Sequence, residues 1–191
     1  MKNLHKLVML LAFLVAVAAM SGCVMFSKTP IFKSSAKVDM PDISGAFSTM
    51  RDKKKETYVL NRVNGTTNTF TVTSPDKSVM TLIFEPLKVS GRYVVQVQNP
   101  AGADVVLGLC EIKDQQIAVR AIKQPEIVNL AKKHGVTIDE TNGVITKKPS
   151  DSKLKEFFNA CFDQKYSEVI STIKPGSPPK SSGSGKSKGS K

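Results

Sequence analysis

The chain has 191 residues, with 28 Lys and Arg against 16 Asp and Glu, a formal charge of +12, two His, three Cys and no Trp. Two histidines, and three cysteines without CxxC spacing, exclude the ordinary His- and Cys-built metal clusters. Nine Phe and three Tyr are too few for a base-stacking surface.

The first element is a targeting segment. Lys2, His5 and Lys6 make a short basic start, and Leu7 to Ala19 follow without a polar residue, the layout of an export signal. These 13 apolar residues are too few to cross a bilayer, which takes about 20 at ~1.5 Å rise per residue. Met20, Ser21 and Gly22 then lead into Cys23. A plain secretory signal would leave Cys23 an ordinary thiol, and an uncleaved anchor would need a longer apolar run.

The stretch "MSGC" resembles the lipobox of bacterial lipoproteins, an aliphatic residue and two small ones before an invariant cysteine, with Met20 where leucine is usual. The resemblance covers residues 1–23. It implies that the sulfur of Cys23 receives a diacylglyceryl group, that cleavage falls between Gly22 and Cys23, and that membrane lipid is the first partner. Several acyl chains, at ~0.8 kcal/mol per buried CH₂, anchor stably where one does not. By the sorting pattern of enteric lipoproteins, Val24 rather than Asp implies an outer membrane location facing the periplasm. In a single-membrane cell the domain would lie on the outer surface.

Two of the 28 basic residues lie in the signal and four beyond Pro175, leaving 22 against 16 acids for the part between. An exported, mildly basic domain is not expected to meet nucleic acid; anionic headgroups, cell-wall polymer or an acidic envelope protein are the expected partners. Residues 23–38 read as a lipidated tether, whose Met25, Phe26, Ile31 and Phe32 could instead lie on the membrane or dock on the domain. Residues 39–174 read as one domain, and 175–191 as a disordered basic tail of Gly, Ser, Pro and Lys. "SGSGKS" in the tail ends like a P-loop, but Lys180 stands where the pattern needs glycine.

Within the domain, "ETYVLNRV", "TFTVTS", "SVMTLIFE", "RYVVQVQN", "DVVLGLCEIK" and "QQIAVRAI" read as strands. Phe70 and Val72 alternate with threonines, Met80, Leu82 and Phe84 share a face, and Tyr93, Val95 and Val97 oppose Arg92, Gln96 and Gln98. "NGTTN", Gly91, "NPAG" and Asp114 punctuate them as turns. "QPEIVNLAKKHG" then shows helical spacing at Ile127, Leu130, Ala131 and His134 and stops at Gly135. "VTIDETNGVIT" reads as a short extended pair. "SDSKLKEFFNACF" is a second helix, on Leu154, Phe157, Phe158 and Cys161, capped by Ser150 or Ser152; "YSEVISTI" is a third, on Tyr166, Val169, Ile170 and Ile173. The predicted fold is therefore α+β: an antiparallel β meander of about six strands followed by two or three amphipathic helices packed on the sheet.

No catalytic pattern emerges and no cofactor is called for. After cleavage one histidine remains, His134, and a lone histidine in the last turn of a helix is ordinarily solvated or capping. Asp39 with Asp42 and Asp139 with Glu140 read as turn residues. Lys53, Lys54 and Lys55 form the densest charge of the domain, ordinarily a solvated loop but also a possible surface for anionic headgroups. Cys110 and Cys161, the two thiols left once lipid takes Cys23, lie on apolar stripes; a bridge between them and separate burial are both open. The expected function is that of a membrane-anchored envelope lipoprotein whose domain is a binding or structural module. The alternatives are an envelope hydrolase with a carboxylate site and a peptidoglycan tether through Lys191.

Overall fold

Alternating apolar residues build strands whose two faces diverge, and here the chain uses that geometry almost throughout. The computed structural model describes residues 25–173 apart from 36, 52–53, 99–104, 124–125 and 142. In chain order the elements are β1 (Met25–Ser27), β2 (Gly45–Arg51), β3 (Lys54–Arg62), β4 (Thr69–Thr73), β5 (Val79–Pro86), β6 (Arg92–Gln98), β7 (Val105–Lys113), β8 (Gln116–Ile122), α1 (Glu126–Lys133), β9 (Thr137–Asp139), β10 (Val144–Lys147), α2 (Asp151–Ala160) and β11 (Ser167–Ile173).

Strands β2 to β8 pair antiparallel in sequence order, and β11 adds to the outer edge of β8. β11 comes back into contact with β2, so these eight strands curl round one apolar core. Phe47, Tyr58, Phe70, Met80, Phe84, Tyr93, Cys110 and Ile117 point into it from successive strands. Phe84 stands edge-on to both Phe70, 5.6 Å away, and Tyr93, 6.2 Å away. Eight strands enclose an interior that side chains can fill, as these do.

The edge of β7 opposite β6 is shared. Its residues Leu109–Lys113 pair with β8, while Val105–Leu107 pair with β1. β1 in turn pairs parallel with β10, and β10 antiparallel with β9. β1 is thus the strand through which the β9–β10 hairpin joins the sheet. A second core covers the outer face of β5 to β8: Ile83, Val94, Leu107, Leu109 and Ile122 meet Ile127 and Leu130 of α1 and Leu154, Phe157 and Phe158 of α2. With apolar residues facing both cores, β7 is buried on both faces along much of its length.

This mostly β fold, with eleven strands and two short helices among the described residues, replaces the α+β arrangement predicted from periodicity. Three differences account for it. The "YSEVISTI" segment is not a third helix but β11, paired with β8 through Ser167↔Ile122 to Ile173↔Ile117 with a register shift between Val169 and Ser171. Its apolar spacing fits a helix, but its β-branched Val169, Ile170, Thr172 and Ile173 suit the open edge of β8. β2 and β1 carry no clear alternation and went unpredicted; Ala46 and Phe47 are consecutive and both buried. Finally, residues 25–38 are not a free tether, because β1 is built into the sheet and Ile31 and Phe32 are buried in the second core.

Side chains clamp that N-terminal segment. Gln96, on β6, is fully buried; its Oε1 accepts from the Ile31 and Phe32 amides at 2.6 and 2.9 Å, and its Nε2 donates to the Phe32 carbonyl at 3.1 Å. Asn68 repeats the device, accepting from the Ser35 amide at 2.8 Å and donating to the Lys33 carbonyl at 3.2 Å. Thr67 bonds the Ser35 carbonyl through its own amide at 2.8 Å. Each buried carboxamide offers the donor and acceptor that a neighbouring strand would otherwise supply.

Candidate functional site

A cleft of about 460 Å³ opens where the ends of α1 and α2 meet the start of β6; it is lined by Arg92, Leu130, Lys133, His134, Asn159, Ala160, Phe162, Asp163 and Tyr166. Local chemistry places each of these groups. α1 carries Glu126 in its first turn and Lys132 and Lys133 in its last, matching the helix dipole. Gly135, at φ +72°, ends it as a C-cap, leaving His134 at the cleft with its ring 6.3 Å from that of Phe157. α2 starts at the N-cap Ser150, buries Leu154, Phe157 and Phe158, and delivers Asn159 and Ala160 at its end.

Arg92 enters from the barrel. It follows Gly91, whose φ is +80° and where a Cβ would meet the Ile112 carbonyl at 3.0 Å, so the β5–β6 turn requires glycine. Its guanidinium lies over the Phe162 ring at 4.8 Å, and Arg120 of β8 lies over the same ring at 5.5 Å. Arg120 is held in place, donating to Ser167 Oγ at 3.0 Å and to the carbonyls of Phe162 and Ser167 at 3.3 Å. Burial lowers its titration; Glu111 opposes that shift and the like charge of Arg92 adds to it. Arg92 is held more loosely, with Glu111 Oε1 4.0 Å from Nε. Two atoms of the lining are buried without a hydrogen-bond partner: Arg92 Nε, a donor, and Asn159 Oδ1, an acceptor.

The residues singled out from sequence are dispersed. Gly22, Cys23, Lys53 and Lys191 lie outside the described residues. Lys54 and Lys55 open β3, in register with Arg51 and Met50 of β2. Cys110 and Cys161 are both free and buried, and the structure separates them: Cys110 faces the barrel interior and Cys161 the second core. The bridge entertained from sequence is not formed, because the sheet stands between the two stripes.

Asp42 accepts from the Ser44 amide at 2.9 Å and Asp139 from the Thr141 amide at 2.9 Å, the turn roles expected of them. The carboxyls of Asp42 and Asp76 are lowered, first of all by serine hydrogen bonds, from Ser44 and Ser74 respectively. That is the opposite of the raised carboxyl a general acid needs, and neither residue lines the cleft. Among the described residues no three His, Cys, Asp or Glu side chains converge as a metal site.

Sequence reasoning missed Arg92, Asn159, Phe162 and Tyr166 as a group, and set Gln96 on the polar face of its strand without a partner. One signal was present. Val94 sits between Arg92 and Gln96 on their face of β6, and the run "VVLGLC" of β7 is apolar on both faces, which marks a covered sheet. No family model, curated protein or solved structure matches the chain.

Proposed function

We propose that this chain is a lipoprotein of the bacterial cell envelope, anchored through acylated Cys23, whose β domain is a binding module held directly at the membrane surface. The observation that carries the reading is how close to the lipobox cysteine the chain is already paired in the sheet. Met25 pairs with Leu107 in the sheet, two residues after the lipobox cysteine. Two residues reach at most about 7 Å. β1 links β7 to the β9–β10 hairpin, and Met25, Ile31 and Phe32 fill the second core, so residues that directly follow the lipobox cysteine are already part of the domain.

A domain attached in this way does not swing on a tether, and its partner must come to the membrane. No helix among the described residues is long and apolar enough to cross a bilayer. In a two-membrane envelope the Val24 position favours the outer membrane.

The test is Cys23→Ser in cells fed labelled fatty acid. The variant accumulates as uncleaved precursor without label; normal labelling of the variant overturns the anchor.

A further inference from the structure

The geometry points to the cleft between α1, α2 and β6 as a binding site for a small hydroxylated anion, a polyol or sugar carrying one phosphate or carboxylate. This deepens the reading of the domain as a binding module and is independent of the lipid anchor.

Charge comes first. Arg92, Arg120 and Lys133 bring three fixed positive charges to the cleft and the layer behind it, against Glu111 and Asp163, so an excess of one positive charge remains before His134 is counted. Arg120 spends its donors on Ser167 and Phe162. Arg92 does not: its guanidinium rests over the Phe162 ring, while Nε is buried without a hydrogen bond. A planar fork with donors to spare suits the two oxygens of a carboxylate or phosphate, and Lys133 adds a point charge to the same cleft.

The second requirement comes from Asn159. Its Oδ1 is buried without a partner, and a buried acceptor left unpaired costs about 1–3 kcal/mol. A ligand that presents a donor as well as an anion would satisfy it, which favours a hydroxylated molecule over a bare anion. Beside His134 and Asp163, the rest of the lining is apolar or aromatic, Leu130, Ala160, Phe162 and Tyr166, and suits the carbon skeleton of such a molecule. The volume, about 460 Å³, lies in the range of small-molecule sites.

The experiment is calorimetric titration of the detergent-solubilised full chain with glycerol 1-phosphate and with glucuronate, beside glucose and inorganic phosphate. The two hydroxylated anions bind saturably, glucose does not, and inorganic phosphate binds more weakly than glycerol 1-phosphate. Arg92→Gln weakens the hydroxylated anions about tenfold or more, the loss of one charge-assisted contact. Arg92→Lys, which keeps the charge, recovers part of that affinity and guards against a merely unfolded variant. Asn159→Leu weakens glycerol 1-phosphate but leaves inorganic phosphate unchanged.

Competition by nanodiscs containing phosphatidylglycerol would assign the bound group to lipid headgroups, and its absence to a free or cell-wall ligand. Absence of saturable binding of both hydroxylated anions up to about 10 mM, or undiminished affinity in folded Arg92→Gln, overturns the site. Cys23→Ser leaves these affinities unchanged, so a failure here and a failure of the anchor are read separately.

Discussion

The clamp on the N-terminal segment makes the most exacting prediction. Gln96→Met keeps the length and nearly the volume of the side chain, so no cavity opens, but it removes all three hydrogen bonds to Ile31 and Phe32. Two amides and one carbonyl are then stranded in an apolar layer at about 1–3 kcal/mol each, roughly 3–9 kcal/mol in all. The segment has a way to relieve part of this by peeling off and regaining water. Peeling forfeits the burial of Ile31 and Phe32, about 1.5–3 kcal/mol apiece. The cheaper route sets the outcome, so the expected loss is about 3–6 kcal/mol, a large part of the ~5–15 kcal/mol that holds an ordinary domain.

Denaturant unfolding measures the loss, and hydrogen exchange of the Ile31 and Phe32 amides shows whether the segment has come away. A destabilisation below about 1 kcal/mol, with both amides still protected, would refute the reasoning.

The two thiols give a redox and a pH prediction. Cys110 and Cys161 are free and buried, so in the native protein neither is alkylated at neutral pH, and both are alkylated after unfolding without any reductant; a mass indicating a bridge would contradict the structure. Burial raises both thiols well above the ordinary cysteine range. Folded thiols then keep protons that unfolded ones lose, so their contribution to stability is full below the unfolded value near ~8.5 and falls above it, by up to about 1.4 kcal/mol per thiol per pH unit. Denaturant unfolding between neutral pH and pH ~10 checks this, and Cys110→Ala with Cys161→Ala flattens the decline. Deleting residues 176–191, a tail of Gly, Ser, Pro and Lys beyond β11, leaves the melting temperature within about a degree; a clear drop would show that the tail docks.

Strands β3 to β8 were legible because β4, β5 and β6 carry a period-two pattern, β7 is a short apolar run, and local turn chemistry divides the whole stretch into strand-length pieces. At the β7–β8 turn Asp114 and Gln115 take positive φ values of 50° and 61°, and Lys113 pairs directly with Gln116. Both helices were legible for the same local reason, from apolar residues three and four apart and a glycine at the close of the first. The resemblance to a lipobox, too, rests on a contiguous stretch of residues, Met20 to Cys23. What a few neighbouring side chains decide, the sequence by itself determined.

Tertiary structure decided the rest. β1 is three residues long, too short for any period, and exists because β7 and β10 leave a gap between them. β11 became a strand because the edge of β8 offered a ladder that a surface helix could not use. Gln96 reads only as one residue of a polar strand face until a distant segment, 64 and 65 residues away, brings backbone groups for it to satisfy. Cys110 and Cys161 share an apolar character but not a core, because the parity of one strand turned one inward while the helix layer took the other. Arg92, Asn159 and Phe162 became one cleft because two helix ends and a strand start converge there, and that convergence depends on contacts between residues far apart in the chain, which no local pattern encodes.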